Sequence, residues 1–269
     1  MVRSPVAPSV DAAIATDRHR AVLLDAAGTL FRLRTPVGAT YADAALAHGL
    51  SPRRDLAQSI EQGFQTQFPA MPRPRYRPGD LAHNQAEDRR WWRQLVQRVM
   101  QDLGPFDFDP FFDTVYSLFA RGEAWELFPE VPAVLAELRR RGHRLAIVSN
   151  FDARLLPVCE GLGLRSRVDV ITYAAEAGAA KPDAGIFAWA LRRLEVEASA
   201  ALHVGDSLAE DVEGARAAGL DALWVCREPD GLRRTPRGIA AIPDLRALIA
   251  GPETDATETG VRPQSPTGG

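Results

Sequence analysis

Asp25 closes the apolar run Ala21-Val22-Leu23-Leu24 and opens Asp25-Ala26-Ala27-Gly28-Thr29-Leu30. A carboxylate at the end of a buried strand suits packing poorly. It suits nucleophilic attack from the rim of a parallel sheet, where open α/β folds bind ligands. Three later segments extend the pattern. Leu145 to Val148 is followed by Ser149 and Asn150, a hydroxyl and an amide able to donate hydrogen bonds to a transferring group. Ala180-Lys181-Pro182-Asp183 places a lysine just before a helix start. His203-Val204-Gly205-Asp206-Ser207 ends another strand in a carboxylate, and Asp211 comes one helical turn later. Taken singly these are turn chemistry, a solvated lysine and a helix cap. Taken together they bring Asp25, Ser149, Lys181, Asp206 and Asp211 to one sheet edge. Clustered carboxylates repel unless a cation lies between them, and carboxylate oxygens completed by water suit Mg²⁺. Lys181 then neutralises both the nucleophile and an anionic substrate. Such parts fit phosphoryl transfer, in which the protein supplies positioning and charge stabilisation.

The elements that must position these groups are short. Ala21 to Leu24, Leu145 to Val148, Val168 to Ile171, Ala201 to Val204 and Ala222 to Val225 are continuous apolar runs, as in strands covered on both faces. Helical patterns alternate with them at Val131 to Arg141, Ala153 to Leu162, Asp183 to Leu194 and Ala209 to Ala218, three of them closed by Gly142, Gly163 and Gly219. The alternation predicts an α/β fold, a Rossmann-like, doubly wound parallel sheet with right-handed crossovers. One insertion, residues 36–122, breaks the rhythm. It carries amphipathic stretches at Val37 to His48, Ser51 to Phe68, Asn84 to Leu103 and Pro110 to Ala120, with a Pro-rich bridge from Pro69 to Pro78. Placed after the first strand, this helical cap domain is expected over the active edge as a lid. The core then comprises residues 19–35 and 123–250, with residues 1–18 and 251–269 as disordered tails.

Composition removes several classes. A net charge of −3 with a pI near 6.0 gives no footing for nucleic acid. No stretch reaches the roughly 18 apolar residues of a membrane span, and no basic-then-apolar signal opens the chain, so a cytoplasmic protein is expected. The composition carries no signal for oligomeric state. Cys159 and Cys226 sit in apolar contexts as core residues. Arginine supplies the positive charge except at Lys181, the one lysine among 32 basic residues. A compact ammonium, rather than a planar fork, is evidently needed there. Trp91 and Trp92 lie mid-helix in the lid, one expected in its core and the other facing the cleft. Arg32 and Arg34 follow the nucleophile loop, either solvated or meeting an anionic substrate. His143 and His203 flank strands and read as structural.

In order and spacing, Asp25 to Leu30, Ser149, Lys181 and Gly205 to Asp211 resemble the four motifs of the haloacid dehalogenase-like hydrolase superfamily, over residues 20–228. The insertion between the first two motifs resembles that superfamily's first cap class. Phe31 to Gly38, Trp91-Trp92 and Ser149-Asn150-Phe151-Asp152 resemble one subgroup of largely undefined substrate. The resemblance implies that Asp25 forms an aspartyl-phosphate, and that Asp25, Asp206, Asp211 and the backbone carbonyl of Ala27 hold Mg²⁺. It also implies that Ser149 grips phosphoryl oxygens, with Gly28, Thr29 and Asn150 at the substrate, and that Lys181 steadies nucleophile and phosphate.

Phosphatases of that superfamily carry a general acid–base aspartate two residues after the nucleophile, and Ala27 stands there. Alanine transfers no proton, so a contribution of about 10²–10⁴-fold is missing or comes from elsewhere. Glu61, His83 and Asp88 in the lid are the candidate substitutes. Three readings follow. The first is a slow or selective Mg²⁺ phosphohydrolase of a small phosphorylated metabolite, in which water or a lid residue handles protons, or a low-pKa leaving group, as in an acyl or aryl phosphate, needs none. The others are a metal-independent 2-haloacid dehalogenase and a non-catalytic phosphate-binding protein. The dehalogenase reading conflicts with a metal-binding last motif. Phosphonoacetaldehyde hydrolysis, which needs a lysine in the cap, is excluded because this cap has none.

Overall fold

The computed structural model describes residues 18–228 and 231–250, so the expected tails fall outside the described residues, Arg18 apart. Strand β1 (Ala21–Leu24) leads through β2 (Phe31–Leu33) into four helices: α1 (Val37–Ala47), α2 (Leu56–Ala70), α3 (Leu81–Met100) and α4 (Phe108–Leu118). After β3 (Trp125–Leu127) come α5 (Val131–Arg140), β4 (Arg144–Ser149), α6 (Leu155–Gly161), β5 (Val170–Tyr173), α7 (Ala174–Ala177) and α8 (Ala184–Leu194). The chain finishes with β6 (Ala201–Gly205), a π-helical turn (Leu208–Glu213) running into α9 (Gly214–Ala217), then β7 (Asp221–Val225) and β8 (Ala241–Ile242).

The sheet has the order β5-β4-β1-β6-β7-β8 with every pairing parallel. Successive strand residues point to opposite faces, and both faces are covered. Val22, Leu24, Leu145 and Ile147 pack into one core with α5 and α6. Ala21, Leu23, Ala146 and Val148 pack into a second with α8. This is why the strands read as unbroken apolar runs. All four residues of β1 are fully buried, each Val or Leu contributing about 1.5–3 kcal/mol. Leu24 is level with Ile147 on one side and Val204 on the other. The segments beginning at Asp25, Ser149 and Asp206 therefore leave the same edge from adjacent strands.

Two features go beyond the sequence expectation. Strands β2 and β3, at the two ends of the helical insertion, form an antiparallel two-stranded ribbon pairing Phe31 with Leu127 and Leu33 with Trp125. Arg32 and Arg34 serve that ribbon: Arg32 Nε meets Glu126 Oε1 at 2.7 Å, and Arg34 donates to the carbonyls of Glu123 and Trp125. Three-residue strands are below the length at which alternation can be read. The second feature is β8, two residues long and equally illegible.

The lid helices hold together through aromatic contacts, with Tyr41 4.7 Å from Phe64 and 5.5 Å from Phe119 between ring centres. Asn84, fully buried, fastens α3 down. Its amide donates to the Ala175 carbonyl of the sheet domain at 2.9 Å and brackets the N–H and C=O of Arg77 in the Pro-rich bridge. Among the described residues no helix is long and apolar enough to cross a membrane.

Candidate active site

Asp25 is 6% exposed, and Lys181, 1% exposed, reaches it from the loop after α7. Lys181 Nζ lies 2.5 Å from Asp25 Oδ1 and 2.6 Å from Asp211 Oδ1. Asp211 is held a second and third time, by His203 Nε2 at 2.8 Å and the backbone N–H of Ser207 at 2.9 Å. Ligand oxygens of Asp25, Asp206 and Asp211 all lie within 4.8 Å of one another. Three carboxylates thus face one ammonium.

The electrostatics follow from that imbalance. Burial and the like charge of Asp211 push the Asp25 carboxyl above its ordinary value, although Lys181 pulls it down. Burial also opposes ionisation of Asp211, but Lys181 and His203 outweigh it and hold this carboxyl well below the usual range. Burial disfavours the Lys181 ammonium, yet Asp25 and Asp211 keep it charged far into the alkaline range. Asp206 is the exposed member of the three carboxylates and forms no ion pair among the described residues. Partial burial and the charges of Asp25 and Asp211 push its carboxyl up to about 7. An all-oxygen donor set short of positive charge fits a hard divalent cation.

Local geometry shows why these sequences were needed. Gly28 adopts φ +87°, and a Cβ there would stand 2.2 Å from Asp206 Oδ2. A Cβ on Gly205 would meet Asp211 Cγ at 2.1 Å. Both glycines leave room for a carboxylate to fold back against the strand end. The π turn carries Asp211, with the N–H groups of Asp211 and Val212 both bonded to the Ser207 carbonyl and the Ser207 hydroxyl accepting from Glu210 N–H. Such turns recur where a side chain must be re-aimed.

Ser149 is buried, its Oγ accepting from Phe151 N–H at 3.3 Å while its own O–H makes no hydrogen bond among the described residues. Ala27, half-buried, sits in the turn beside Gly28, and Thr29 is fully buried with its hydroxyl unpartnered. Asn150 differs from expectation. Its amide donates to the Lys181 carbonyl and to Glu210, and its oxygen accepts from Lys181 N–H at 2.7 Å. Asn150 therefore braces the lysine loop instead of offering free donors to a transferring group.

Other residues emerge only in three dimensions. Arg227 donates to the carbonyls of Gly28 and Thr29, pairs with Glu130 at 2.8 Å and lies 3.5 Å from the Phe128 ring centre, clamping the nucleophile loop. Its one sequence signal is its place just past the end of β7. Glu210 joins Asn150 to Arg73 of the lid. His203, structural in the sequence reading, supports Asp211. Trp91 and Trp92 both remain half-buried and both line the cleft beside Asn150 and Glu210; neither is enclosed in the lid core.

The candidate substitutes for the acid absent at Ala27 separate clearly. Glu61 accepts from Gly38 N–H at 2.7 Å, and His83 faces Glu87. Asp88 lines the cleft, 4% exposed, accepting from the Tyr76 hydroxyl at 2.6 Å with its second oxygen unpartnered. Burial, then the nearby charge of Asp152, push it up to about 7 against the Tyr76 hydrogen bond. A carboxyl raised in the folded state favours folding below its unfolded value near 4 and loses that contribution as pH rises through about 7. Asp88→Asn is expected to remove this slope. In urea titrations the wild type should lose up to roughly 4 kcal/mol more than the variant between those pH values. Parallel curves would show that Asp88 titrates normally.

The family model for haloacid dehalogenase-like hydrolases matches residues 19–219. The Bos taurus haloacid dehalogenase-like hydrolase domain-containing protein 3 is 37% identical over 210 residues, 77% of this chain and 81% of that one. A phosphoserine phosphatase of Thermus thermophilus is 40% identical over 131 residues, about half of each chain (48% and 51%). Among solved structures, the putative HAD-hydrolase YfnB of Bacillus subtilis superposes with a TM-score of 0.65 at 18% identity, covering 86% of this chain and 97% of that one.

Proposed function

The chain belongs to the haloacid dehalogenase-like hydrolases, and on that premise we propose that it is a Mg²⁺-dependent phosphohydrolase of a small phosphorylated metabolite, with Asp25 as nucleophile. The observation that carries this reading is the double ion pair of Lys181, which sets an ammonium 2.5 Å from the buried Asp25 and 2.6 Å from Asp211, while Asp25, Asp206 and Asp211 stand within metal-sharing reach. Similarity to a phosphoserine phosphatase over half the chain supports the reaction class.

The chemistry runs through the chain's own groups. An Asp25 oxygen attacks phosphorus as the P–O bond to the leaving group breaks, giving an aspartyl-phosphate. Water then attacks the phosphorus, releasing inorganic phosphate and restoring the carboxylate. The Ser149 O–H and Lys181 ammonium are placed to steady the anionic oxygens of the transferring group. Asp25, Asp206, Asp211 and the Ala27 carbonyl would hold Mg²⁺, which, when bound, neutralises phosphoryl charge.

Ala27 stands where phosphatases of the family carry an acid, so the leaving group departs without a proton from that position. Ala27→Asp is expected to raise hydrolysis of poor-leaving-group alkyl phosphates about 10²-fold more than that of aryl phosphates. Equal effects on the two ester classes would contradict the missing-acid account. The dehalogenase alternative shares the Ala27 signature. Phosphate release from an ester panel with and without Mg²⁺, run beside halide release from 2-haloacids, separates the two. Metal-independent halide release without phosphate release would replace the present reading.

A further inference from the structure

A second cavity of about 380 Å³ opens between the lid helices, the β2–β3 ribbon and the loop after β4. Tyr41, Phe64, Phe68, Trp92, Trp125 and Phe151 line it, and its charged member is Arg154. That charge is already spent. The Arg154 guanidinium makes three hydrogen bonds of 2.6–3.0 Å to the Asp152 carboxylate and lies 3.9 Å from the Tyr116 ring centre and 4.9 Å from that of Trp92. The cavity therefore presents mainly ring faces and aliphatic carbon, with the neutral polar groups of Gln65 and Tyr41 and no unpaired charge, the lining expected for a flat apolar group.

It also adjoins the chemistry. Phe68 and Trp92 wall both this cavity and the cleft containing Asn150, Ala180 and Glu210. Phe151, on its far side, directly follows Asn150 and donates its N–H to Ser149 Oγ. Phe68 is 51% exposed at the junction, a large apolar ring left half in water where the two spaces meet.

We propose that this cavity receives the leaving group of the substrate, and that the group is aromatic and uncharged, so that the substrate class is an aryl phosphate; the inference rests on the phosphohydrolase reading above. Ala27 points the same way from chemistry alone. As the bond from phosphorus to Asp25 forms, the P–O bond to the leaving group breaks and its electron pair stays on the departing oxygen. A phenol ionises near 10, as tyrosine does, whereas an aliphatic alcohol lies nearer water at about 15.7. A phenolate leaves unprotonated and takes its proton from solvent afterwards, so a site with alanine at position 27 loses least with this class. Size agrees, because about 150 Å³ holds a benzene ring, and this space holds a bicyclic one.

The test reads binding before turnover. With Mg²⁺ present, calorimetry compares 1-naphthylmethylphosphonate with 2-hydroxyethylphosphonate, and the naphthyl compound is expected to bind at least about tenfold more tightly. Phe68→Ala and Trp92→Ala should each cut that ratio about fivefold or more. Because Phe68 is half exposed, its truncation leaves the lid core intact. Equal affinities, or a ratio unmoved by both variants, would overturn the aromatic subsite even if Mg²⁺-dependent phosphate release from another ester continued. Strong naphthyl preference with no phosphate released from any ester would instead overturn the phosphohydrolase reading on which the leaving-group role depends.

Discussion

Asp25→Asn is expected to lower phosphate release by at least about 10³-fold while the far-ultraviolet circular dichroism and unfolding midpoint stay close to wild type. An amide is nearly the shape of a carboxylate but a poor nucleophile toward phosphorus. It also relieves the burial of charge and the like charge of Asp211 that together push the Asp25 carboxyl upward, so folding has little to lose. Lys181 Nζ, 2.6 Å from Asp211, still has that carboxylate as a partner when Asp25 is replaced. Turnover near the wild-type rate would remove the covalent route and with it the reason for burying this carboxylate at a strand end.

The second large effect concerns stability. Lys181→Met should destabilise the protein by about 3–5 kcal/mol near neutral pH, because it strands Asp25 and Asp211 in the interior without their shared cation. The deficit is expected to shrink as pH falls and the two carboxyls take up protons. Lys181→Arg should not restore stability: a planar fork cannot enter a slot 1% exposed that converges on two oxygens from different loops. Mg²⁺ should return part of the loss to the methionine variant by supplying charge to the same carboxylates. Urea unfolding of the three proteins, in chelator and in Mg²⁺, measures each arm. A Lys181→Met protein as stable as wild type in chelator would show that the ammonium does not carry this cluster.

What the sequence reveals about the molecule depends on how local each signal is. The strands of the sheet and the carboxylates at their ends are legible because burial on both faces demands unbroken apolar runs, and a charge that interrupts one is conspicuous. Lys181 is legible for a different reason, as a single lysine in a chain where arginine takes the other basic positions. Residues acting through partners distant in sequence escape. Arg227 clamps a loop 198 residues earlier, and nothing in its own neighbourhood announces that contact. Asn150 is recognisable as part of a motif, but its use as a brace depends on the Lys181 backbone, which only the folded chain brings near. The strands of the β2–β3 ribbon are too short for periodicity to show, and the insertion separates them in the chain. The aromatic cavity is assembled from that ribbon, three lid helices and the loop after β4, so no single segment carries its pattern.

The proposed reaction turns on a phosphoryl group passing through Asp25. Rapid acid quench of the Mg²⁺-loaded protein during turnover of an aryl phosphate, followed by proteolysis and mass spectrometry, measures that step directly. The expected result is phosphate on the peptide containing Asp25, absent when Mg²⁺ is chelated. Phosphate release that continues with this peptide unmodified and the label on another residue would contradict it.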